Sequence, residues 1–371
     1  MRRIFSLLLV LIIVGLVSAA TTIRVGVVLP LKEQTARGTA LVEFYRGLLM
    51  AVEVVKAEGL NVEVTAVDCG NSETSLQQAL RNPALPQLDI LFGPVDAVQV
   101  GSMADFCRQH GIRMILPFNT PCTQIYTNPW IYQVGVSQEL LFPGVCNLVM
   151  QHMPNSNFVF FYTTEQDDRG QAFSNHLSQV LQLRNQSVNR LAYGADEFAF
   201  DRALNQFREN VIIPDARSQS ALSKTVSSIK AYLQTHPQYK ITLLGYPEWL
   251  TYVSTQLQDL YQFNAHVFSP YYRNPLSGRT AKFEQQYQQN FNRPSRLSFP
   301  KAEMLGYDLG LYFMRGVSQM GRNFEDNQSE VKQQPLQHYF DFQRVSEEGG
   351  FANLSVELVH YTTNKTIQVL K

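Results

Sequence analysis

The segment Ile23-Arg24-Val25-Gly26-Val27-Val28-Leu29-Pro30 is typical of a buried strand that ends at a proline, and it begins the unit from which the fold can be predicted. Its β-branched residues favour extended structure. A polar loop follows, and apolar side chains then recur at the spacing of one helix face, at Leu41, Phe44, Tyr45, Leu48, Ala51, Val52 and Val55. A strand, a loop and an amphipathic helix in this order predict the first unit of a parallel sheet.

This strand and helix unit repeats along the chain in two long runs. In the first run we predict further strands at residues 61–67, 88–92, 112–118 and 131–134, and helices at 72–80 and 96–110. The second run predicts strands at residues 158–163, 188–193, 211–214, 241–246 and 266–270, with helices at 171–183, 200–208, 222–233 and 249–260. The alternation predicts an α/β protein of two Rossmann-like lobes with parallel central sheets. Ligands of such sheets bind beyond the C-terminal ends of the strands.

The N-terminal segment has the three parts of a secretory signal peptide. Arg2 and Arg3 precede an apolar stretch at residues 4–17, and small residues follow at 18–20. An uncleaved membrane anchor is the alternative, but the apolar stretch is short for a bilayer span. We therefore predict a signal peptide over residues 1–20, export of the mature chain, and no membrane span after cleavage.

Length and charge narrow the class of protein. The 371 residues suit two domains of ordinary size. Removal of residues 1–20 takes away two of the 31 Lys and Arg residues, so 29 positive charges face 31 negative ones, for a formal charge of −2. Because no lysine block or basic helix face occurs, we predict no nucleic-acid partner.

The four cysteines, Cys69, Cys107, Cys122 and Cys146, are compatible with one or two disulfides in an oxidising compartment. Cys107 also suits a buried apolar position in a helix. Their spacing does not resemble a zinc pattern, so we predict no metal site. The sequence does not specify which cysteines pair.

Catalytic motifs that were sought do not occur in the sequence: a Gly-x-Ser-x-Gly elbow, His-Glu-x-x-His, a Gly-Lys phosphate loop, or Gly-x-Gly-x-x-Gly after the first strand. The seven histidines are spread singly along the chain. We therefore predict that the protein is not an enzyme and binds no cofactor.

One acidic cluster, Glu165, Asp167 and Asp168, follows the first strand of the second run. A general acid/base pair is one interpretation. The other is that the carboxylates stabilise the N-terminus of the helix that starts near Gly170, where the helix dipole favours negative charge. Contact with a ligand is compatible with the second interpretation.

Loops after the predicted strands carry residues suited to binding, at positions 93–97, 118–121, 214–220 and 245–249. Backbone N–H groups at the start of the helix near Asp96 would suit an anion, with Asp96 itself as the predicted helix cap. A carboxylate at Glu248 beside the indole of Trp249 would suit a ligand with an amine and an apolar part. A core position in its helix is the equal alternative for Trp249.

Several of these stretches together resemble the type I periplasmic binding proteins, specifically the leucine/isoleucine/valine-binding and related amino-acid receptors. The matching stretches are residues 23–30, 89–94, 111–117 with Thr120, and 131–134. The resemblance covers essentially the whole mature chain. It implies two lobes joined by a three-segment hinge, with lobe 1 formed by residues 21–136 plus 272–339 and lobe 2 by residues 137–271 plus 340–371. It also implies helices at 280–290 and 302–320, and C-terminal strands at 342–345, 354–360 and 366–370 in lobe 2.

The resemblance also assigns roles to single residues. Thr120 falls at a ligand-binding threonine of the family, and Glu248 falls near an acid that holds the ligand's ammonium group. The family's carboxylate-binding serine is Ala97 here, so a bound carboxylate would lack one hydrogen bond. Cys69 matches a cysteine whose disulfide partner would stand at Asp96, so that bridge is not expected.

Two functions follow as hypotheses. The first is a periplasmic solute-binding protein that closes on an amino acid or short peptide and delivers it to an ABC-type permease. The second is a non-transport protein that binds or regulates a cell-envelope partner, since residues 245–249 and 347–353 are similar to a divergent branch associated with LysM modules. The predicted ligand contacts are Asp96, Ala97, Asn119, Thr120, Gln166, Asp167, Ser218, Tyr246, Glu248 and Trp249.

Overall fold

The structure is a computed structural model that describes residues 22–295 and 299–371. The signal peptide predicted for residues 1–20 lies outside the described residues. Within them, no helix is both long and apolar enough to cross a membrane.

The described residues form two mixed sheets flanked by helices. The strands are β1 (Ile23–Leu29), β2 (Val62–Asp68), β3 (Ile90–Phe92), β4 (Arg113–Leu116), β5 (Ile131–Gln133), β6 (Asn157–Tyr162), β7 (Val188–Ala192), β8 (Glu209–Pro214), β9 (Lys240–Gly245), β10 (His266–Ser269), β11 (Phe342–Arg344), β12 (Phe351–Asn353), β13 (Glu357–Tyr361) and β14 (Ile367–Leu370). The helices are α1 (Ala36–Ala57), α2 (Glu73–Ala79), α3 (Ala97–His110), α4 (Gln138–His152), α5 (Asp168–Leu183), α6 (Glu197–Ala203), α7 (Gln219–Leu233), α8 (Val253–Gln262), α9 (Gly278–Phe291) and α10 (Ala302–Met320).

The first five strands of each sheet share one topology. The first sheet has the order β11-β12-β5-β4-β3-β1-β2, and the second has the order β14-β13-β10-β9-β8-β6-β7. Strands β1 to β5 pair in parallel, as do β6 to β10. Strand β13 is antiparallel to both β10 and β14, so the second sheet is mixed. The predicted α/β class with two lobes is confirmed.

The chain divides into two compact units. The first contains residues 22–134, 302–333 and 344–351, and the second contains residues 135–295, 299–301, 334–343 and 352–371. Helix α9 belongs to the second unit and strand β11 to the first sheet, whereas the resemblance implied the other lobe for each of these segments. The predicted lobe boundaries themselves stay a prediction.

The core of the first unit depends on close contact between α1 and α10. A Cβ atom added at Gly47 would lie 1.7 Å from the carbonyl oxygen of Glu303, and one at Gly306 would lie 2.0 Å from that of Phe44. The two helix backbones therefore touch at glycines, and any larger side chain there would force them apart.

Five helices differ from the sequence prediction, and two of them, α5 and α7, simply begin three residues earlier than predicted. Helix α4 was not predicted, and it contains Pro143, a residue that usually argues against a helix interior. Helix α6 starts earlier than expected because Asp196 caps it, with a side chain that accepts from the Ala199 N–H. Residues Pro247–Thr251 form a 3-10 turn, so α8 begins only at Val253.

All four cysteines lie in the described residues, and each is a buried free thiol. The one or two disulfides allowed by the sequence are therefore not formed. Burial raises the pKa of Cys69 to about 12 and that of Cys146 to about 11, so both are protonated at neutral pH.

Candidate ligand-binding site

Each sheet has a point at which the strand order reverses, and there the loops after two neighbouring strands diverge. In the first sheet this point lies between β1 and β3, and in the second between β6 and β8. Because ligands of open α/β sheets bind outside the strand ends at such points, these loops are the candidate sites of the two units.

In the second unit an arginine joins the loops after three strands. Arg217 follows β8, and its Nε donates to Oδ2 of Asp167, which follows β6, at 2.9 Å. Its Nη1 donates to Oε1 of Glu248, which follows β9, at 2.5 Å. The backbone N–H of Arg217 also donates to Asp167 Oδ2 at 2.8 Å. We call Arg217, Asp167 and Glu248 the second arginine cluster.

Asp167 and Arg217 keep their charges. Burial by itself raises the pKa of Asp167, but hydrogen bonds from Arg217 and from the Gly170 N–H outweigh burial and hold that pKa below its ordinary value. Burial lowers the pKa of Arg217, and its contacts with Asp167 and Glu248 reverse this and raise it. One positive and two negative groups leave a net charge of −1 when all are ionised.

A second acidic group, Glu165, lies beside this cluster and has its own partners. Ser218 Oγ donates to Glu165 Oε2 at 2.5 Å, and Lys224 Nζ lies 3.2 Å from Glu165 Oε1. Ser218 also accepts the Ala221 N–H at 2.9 Å as the N-cap of α7. In this conformation Ser218 therefore caps α7 and holds the Glu165 carboxylate.

The interpretation of the acidic cluster as helix-stabilising is confirmed for one member. Asp167 is the N-cap of α5 and accepts the Gly170 N–H at 3.3 Å. Asp168 occupies the first turn and is exposed.

The first unit carries a related arrangement, which we call the first arginine cluster: Arg37, Glu33 and Asp96. Arg37 Nη2 donates to Glu33 Oε2 at 2.7 Å, and its Nη1 donates to Asp96 Oδ1 at 2.7 Å. Glu33 and Arg37 follow β1, whereas Asp96 follows β3, so the arginine again joins the loops at the reversal point. The hydrogen bonds to Glu33 and Asp96 raise the pKa of Arg37.

The predicted N-cap position of Asp96 is confirmed, but its predicted capping role is not. Asp96 does occupy the N-cap position of α3, but its side chain makes no capping hydrogen bond. Its carboxylate pairs with Arg37 instead, so it faces the guanidinium and not the helix backbone. Ala97 is exposed in the first turn of the same helix.

The other predicted contacts are spread over both units. Asn119 is exposed, whereas Thr120 is buried and its Oγ1 donates to the Val95 carbonyl at 3.3 Å. Gln166 is exposed between Glu165 and Asp167. The structure thus brings Gln166, Asp167, Ser218 and Glu248 to one edge of the second sheet, and it brings Asp96, Ala97, Asn119 and Thr120 to the equivalent edge of the first.

Tyr246 and Trp249 lie in the core of the second unit, and both side chains are fully buried. Tyr246 donates to the Pro214 carbonyl at 2.6 Å and packs edge-on against Phe173. A Cβ atom at Gly245 would lie 2.3 Å from the Trp249 ring, so the glycine makes room for the indole. Of the two predicted roles of Trp249, the structure shows the core position.

Sequence reasoning missed the arginines that organise both clusters. One signal was available, because Glu33 and Arg37 stand at the i, i+4 spacing of a helical ion pair. Arg217 had no such signal, since its partners lie 50 and 31 positions away in the chain.

The two clusters differ from a simple anion site. In each, the arginine is already paired with two carboxylates, so a bound anion would have to displace one of them. Glu248 Oε2, by contrast, is buried and accepts no hydrogen bond from the described residues. A cationic donor would meet this oxygen without breaking an ion pair. No group of three or more His, Cys, Asp or Glu side chains in residues 22–295 and 299–371 is placed to hold a metal ion.

No protein-family model matches the sequence, and no curated protein matches it either. Solved structures do match. A protein from Rhodospirillum rubrum described as a branched-chain amino acid ABC transporter is similar with a TM-score of 0.65 and 11% identity, over 94% of this chain and 100% of that chain.

Two further solved structures agree with this one. A branched-chain amino acid ABC transporter protein from Chromobacterium violaceum has a TM-score of 0.54 and 14% identity, over 90% of this chain and 99% of that chain. A branched-chain amino acid ABC transporter periplasmic ligand-binding protein from Burkholderia xenovorans has a TM-score of 0.53 and 12% identity, over 94% of each chain. With the topology of the two sheets, these matches show that the chain has the fold of the type I periplasmic binding proteins.

Proposed function

We propose that this protein is an exported solute-binding protein that captures a small polar ligand bearing an amine, an amino acid or a short peptide, for an ABC-type transporter. It binds and does not catalyse. The fold supports this function, because the similar solved structures are described as ABC transporter proteins for branched-chain amino acids.

The observation that supports an amine on the ligand is the buried Oε2 of Glu248, which has no hydrogen-bond partner among the described residues. Its other oxygen is held by Arg217, so the carboxylate is oriented before a ligand arrives. An ammonium group is a strong hydrogen-bond donor, and a bond between charged groups is stronger than one between neutral groups. Of the predicted contacts in the second unit, we assign Glu248, Asp167 and Gln166 to this site, and of those in the first unit, Asn119 and Ala97 are exposed.

A second candidate is a cell-envelope binding or regulatory protein that does not take part in transport. Ala97 favours it, because this side chain offers no hydroxyl to a ligand carboxylate. The paired state of Arg37 favours it as well, since this arginine is committed to Glu33 and Asp96.

Thermal unfolding of the chain from residue 21 onward tests the proposal. Amino acids, short peptides, muropeptides and simple amines are added over a range of concentrations. A ligand that binds the native state raises the midpoint of unfolding by an amount that grows with its concentration. A flat response to the whole panel would favour the envelope candidate and direct the search to pull-downs from cell envelopes.

A matched pair of variants separates Glu248 from general charge effects. Glu248→Ala removes the oriented carboxylate and should abolish most of the midpoint rise caused by an amine-bearing ligand. Glu197→Ala, at a side chain that is 68% exposed in the same unit, should leave the rise unchanged. If both variants respond to the ligand as the native protein does, Glu248 is not part of the site.

A further inference from the structure

The second unit contains a cavity of about 440 Å³ at the edge opposite the arginine cluster. It lies beside the C-terminus of α4 at His152, the start of β8 at Glu209 and the start of β10 at His266. Asp167, Arg217 and Glu248 follow the C-terminal ends of strands in the same sheet. The volume falls within the range of about 300–1,000 Å³ that small-ligand sites have. This cavity is therefore separate from the proposed solute site and does not depend on it.

Two histidines line this cavity, His266 and His152, and each has one buried nitrogen, His266 Nδ1 and His152 Nε2, with no hydrogen-bond partner among the described residues. His266 is only 6% exposed, so water reaches its ring poorly. Its ring stacks on that of His360 with centroids 3.8 Å apart and an angle of 14° between the planes. The position of the His266 ring is thus held by packing while one of its nitrogens is left for an incoming group.

His266 is neutral at ordinary pH. Burial and the neighbouring His360 lower the pKa of His266 to about 3. A neutral imidazole has one nitrogen that donates and one that accepts. A hydroxyl group complements either kind of nitrogen, because it both donates and accepts.

A chain of hydrogen bonds continues along the cavity wall. His360 Nε2 lies 2.8 Å from Asn264 Oδ1, Asn264 Nδ2 donates to Thr242 Oγ1 at 3.3 Å, and Thr242 donates to Glu209 Oε1 at 2.8 Å. Asn264, Thr242 and Glu209 all line the cavity. The polar lining therefore combines neutral amide, hydroxyl and imidazole groups with one guanidinium, Arg208, and one carboxylate, Glu209, that is already hydrogen-bonded.

An exposed aromatic ring completes the lining. Phe207 is 87% exposed, and it lines the same cavity next to Arg208 and Glu209. An aromatic face that stays in water offers an apolar platform to a ring that carries C–H groups on one face. Pyranose sugars combine such a face with hydroxyl groups around the rim.

We propose that this cavity binds a neutral polyhydroxylated ring, a pyranose sugar or a glycan unit of that size, which stacks on Phe207 and hydrogen-bonds to His266 and His152. The phenyl face, the two unpartnered nitrogens and the polar chain that ends at Glu209 each have a partner in such a ligand, and the Arg208 guanidinium can donate to its hydroxyl groups.

Saturation-transfer NMR with methyl β-D-glucopyranoside and with N-acetyl-D-glucosamine tests the proposal on the purified protein. We expect saturable transfer from the protein to at least one of these sugars, and no competition from the amino acids used to probe the other edge. Absence of transfer to both sugars would overturn the proposal. Binding of Zn²⁺ to the cavity without any sugar binding would overturn it as well, and would identify the two histidines as metal ligands.

Two variants and one control locate the binding. Phe207→Ala should weaken it about two- to tenfold through loss of stacking, and because the side chain is exposed this variant should fold normally. His266→Phe keeps a ring on His360 but removes the free nitrogen, and it should also weaken binding. Phe198→Ala changes another exposed phenylalanine of the same unit, 65% exposed and outside the cavity lining, and should bind as the native protein does. Equal affinities for the native protein, Phe207→Ala and His266→Phe would refute the site.

Discussion

Arg217 and Asp167 are joined by both side chain and backbone: Nε and the backbone N–H of Arg217 each donate to Asp167 Oδ2, at 2.9 Å and 2.8 Å. Asp167 follows β6 and Arg217 follows β8, so this pair joins the two loops at the point where the strand order of the second sheet reverses. Their side chains are only 14% and 21% exposed. The pair therefore belongs to the structure of the site as well as to its charge.

The first prediction concerns this pair. Asp167→Asn removes the charge that Arg217 faces and should lower the free energy of unfolding by about 1–3 kcal/mol, since a largely buried guanidinium loses its principal partner. Urea unfolding of the two proteins measures the difference. Asp168→Asn is the matched control, because Asp168 is exposed in the next position and should change stability by less than about 0.5 kcal/mol. Equal effects of the two variants would show that the Arg217 pair contributes nothing.

The second prediction concerns two glycines with opposite surroundings. Gly47→Ala should destabilise the protein by about 1–3 kcal/mol or more, because the new methyl group would lie 1.7 Å from a backbone oxygen of α10. Gly101→Ala should stabilise it by about 0.5–1 kcal/mol. Its new Cβ would meet only the Gln124 side chain at 3.5 Å, and alanine is the better helix former in α3. Thermal and urea unfolding measure both changes in stability. A Gly47→Ala variant as stable as the native protein would disprove the close contact of α1 and α10.

The third prediction is a loss of stability in mild acid. Burial lowers the folded-state pKa of His266 and of His338 to about 3, whereas the unfolded value is about 6.5. Between these two pKa values the unfolded chain therefore binds more protons than the folded protein. The contribution of the two neutral histidines to the free energy of unfolding is fully present above pH 6.5, and it should be lost progressively as the pH falls toward 3.

The midpoint of thermal unfolding between pH 7.5 and pH 4.5 measures this loss. His266→Phe should make that decline shallower, because it removes one of the two buried titrating groups. His110→Asn, at an exposed histidine of the first unit, should leave the slope unchanged. A slope that is the same in His266→Phe and in the native protein would mean that His266 is accessible to protons in the folded state.

The fourth prediction concerns the thiols. Cys69, Cys107, Cys122 and Cys146 are buried and free, so a thiol reagent should label none of them quickly in the native protein and all four in denaturant without reductant. Burial also raises the pKa of Cys107, which removes the reactive thiolate. Fewer than four labelled thiols in denaturant would reveal a disulfide and contradict the structure.

Much of the fold could be predicted because a buried strand is a local pattern. The stretch at residues 23–30 became β1, and the strands predicted at 61–67, 158–163 and 241–246 correspond to β2, β6 and β9 within one or two residues. Helix α4 could not be predicted in the same way, because Pro143 lies inside it and a proline usually argues against a helix interior.

The site was only partly predictable, for a physical reason. Local patterns in the sequence were enough to predict that polar loops follow parallel strands, and therefore that Asp96, Asp167, Ser218 and Glu248 lie after strand ends, as they do. The contacts of these groups depend on the folded chain, because ion pairs such as Arg217 with Glu248 join residues 31 positions apart through the order of strands in the sheet. Burial was decided in the same way: Trp249 enters the core because Gly245 leaves room for its ring, and no local pattern carries that information.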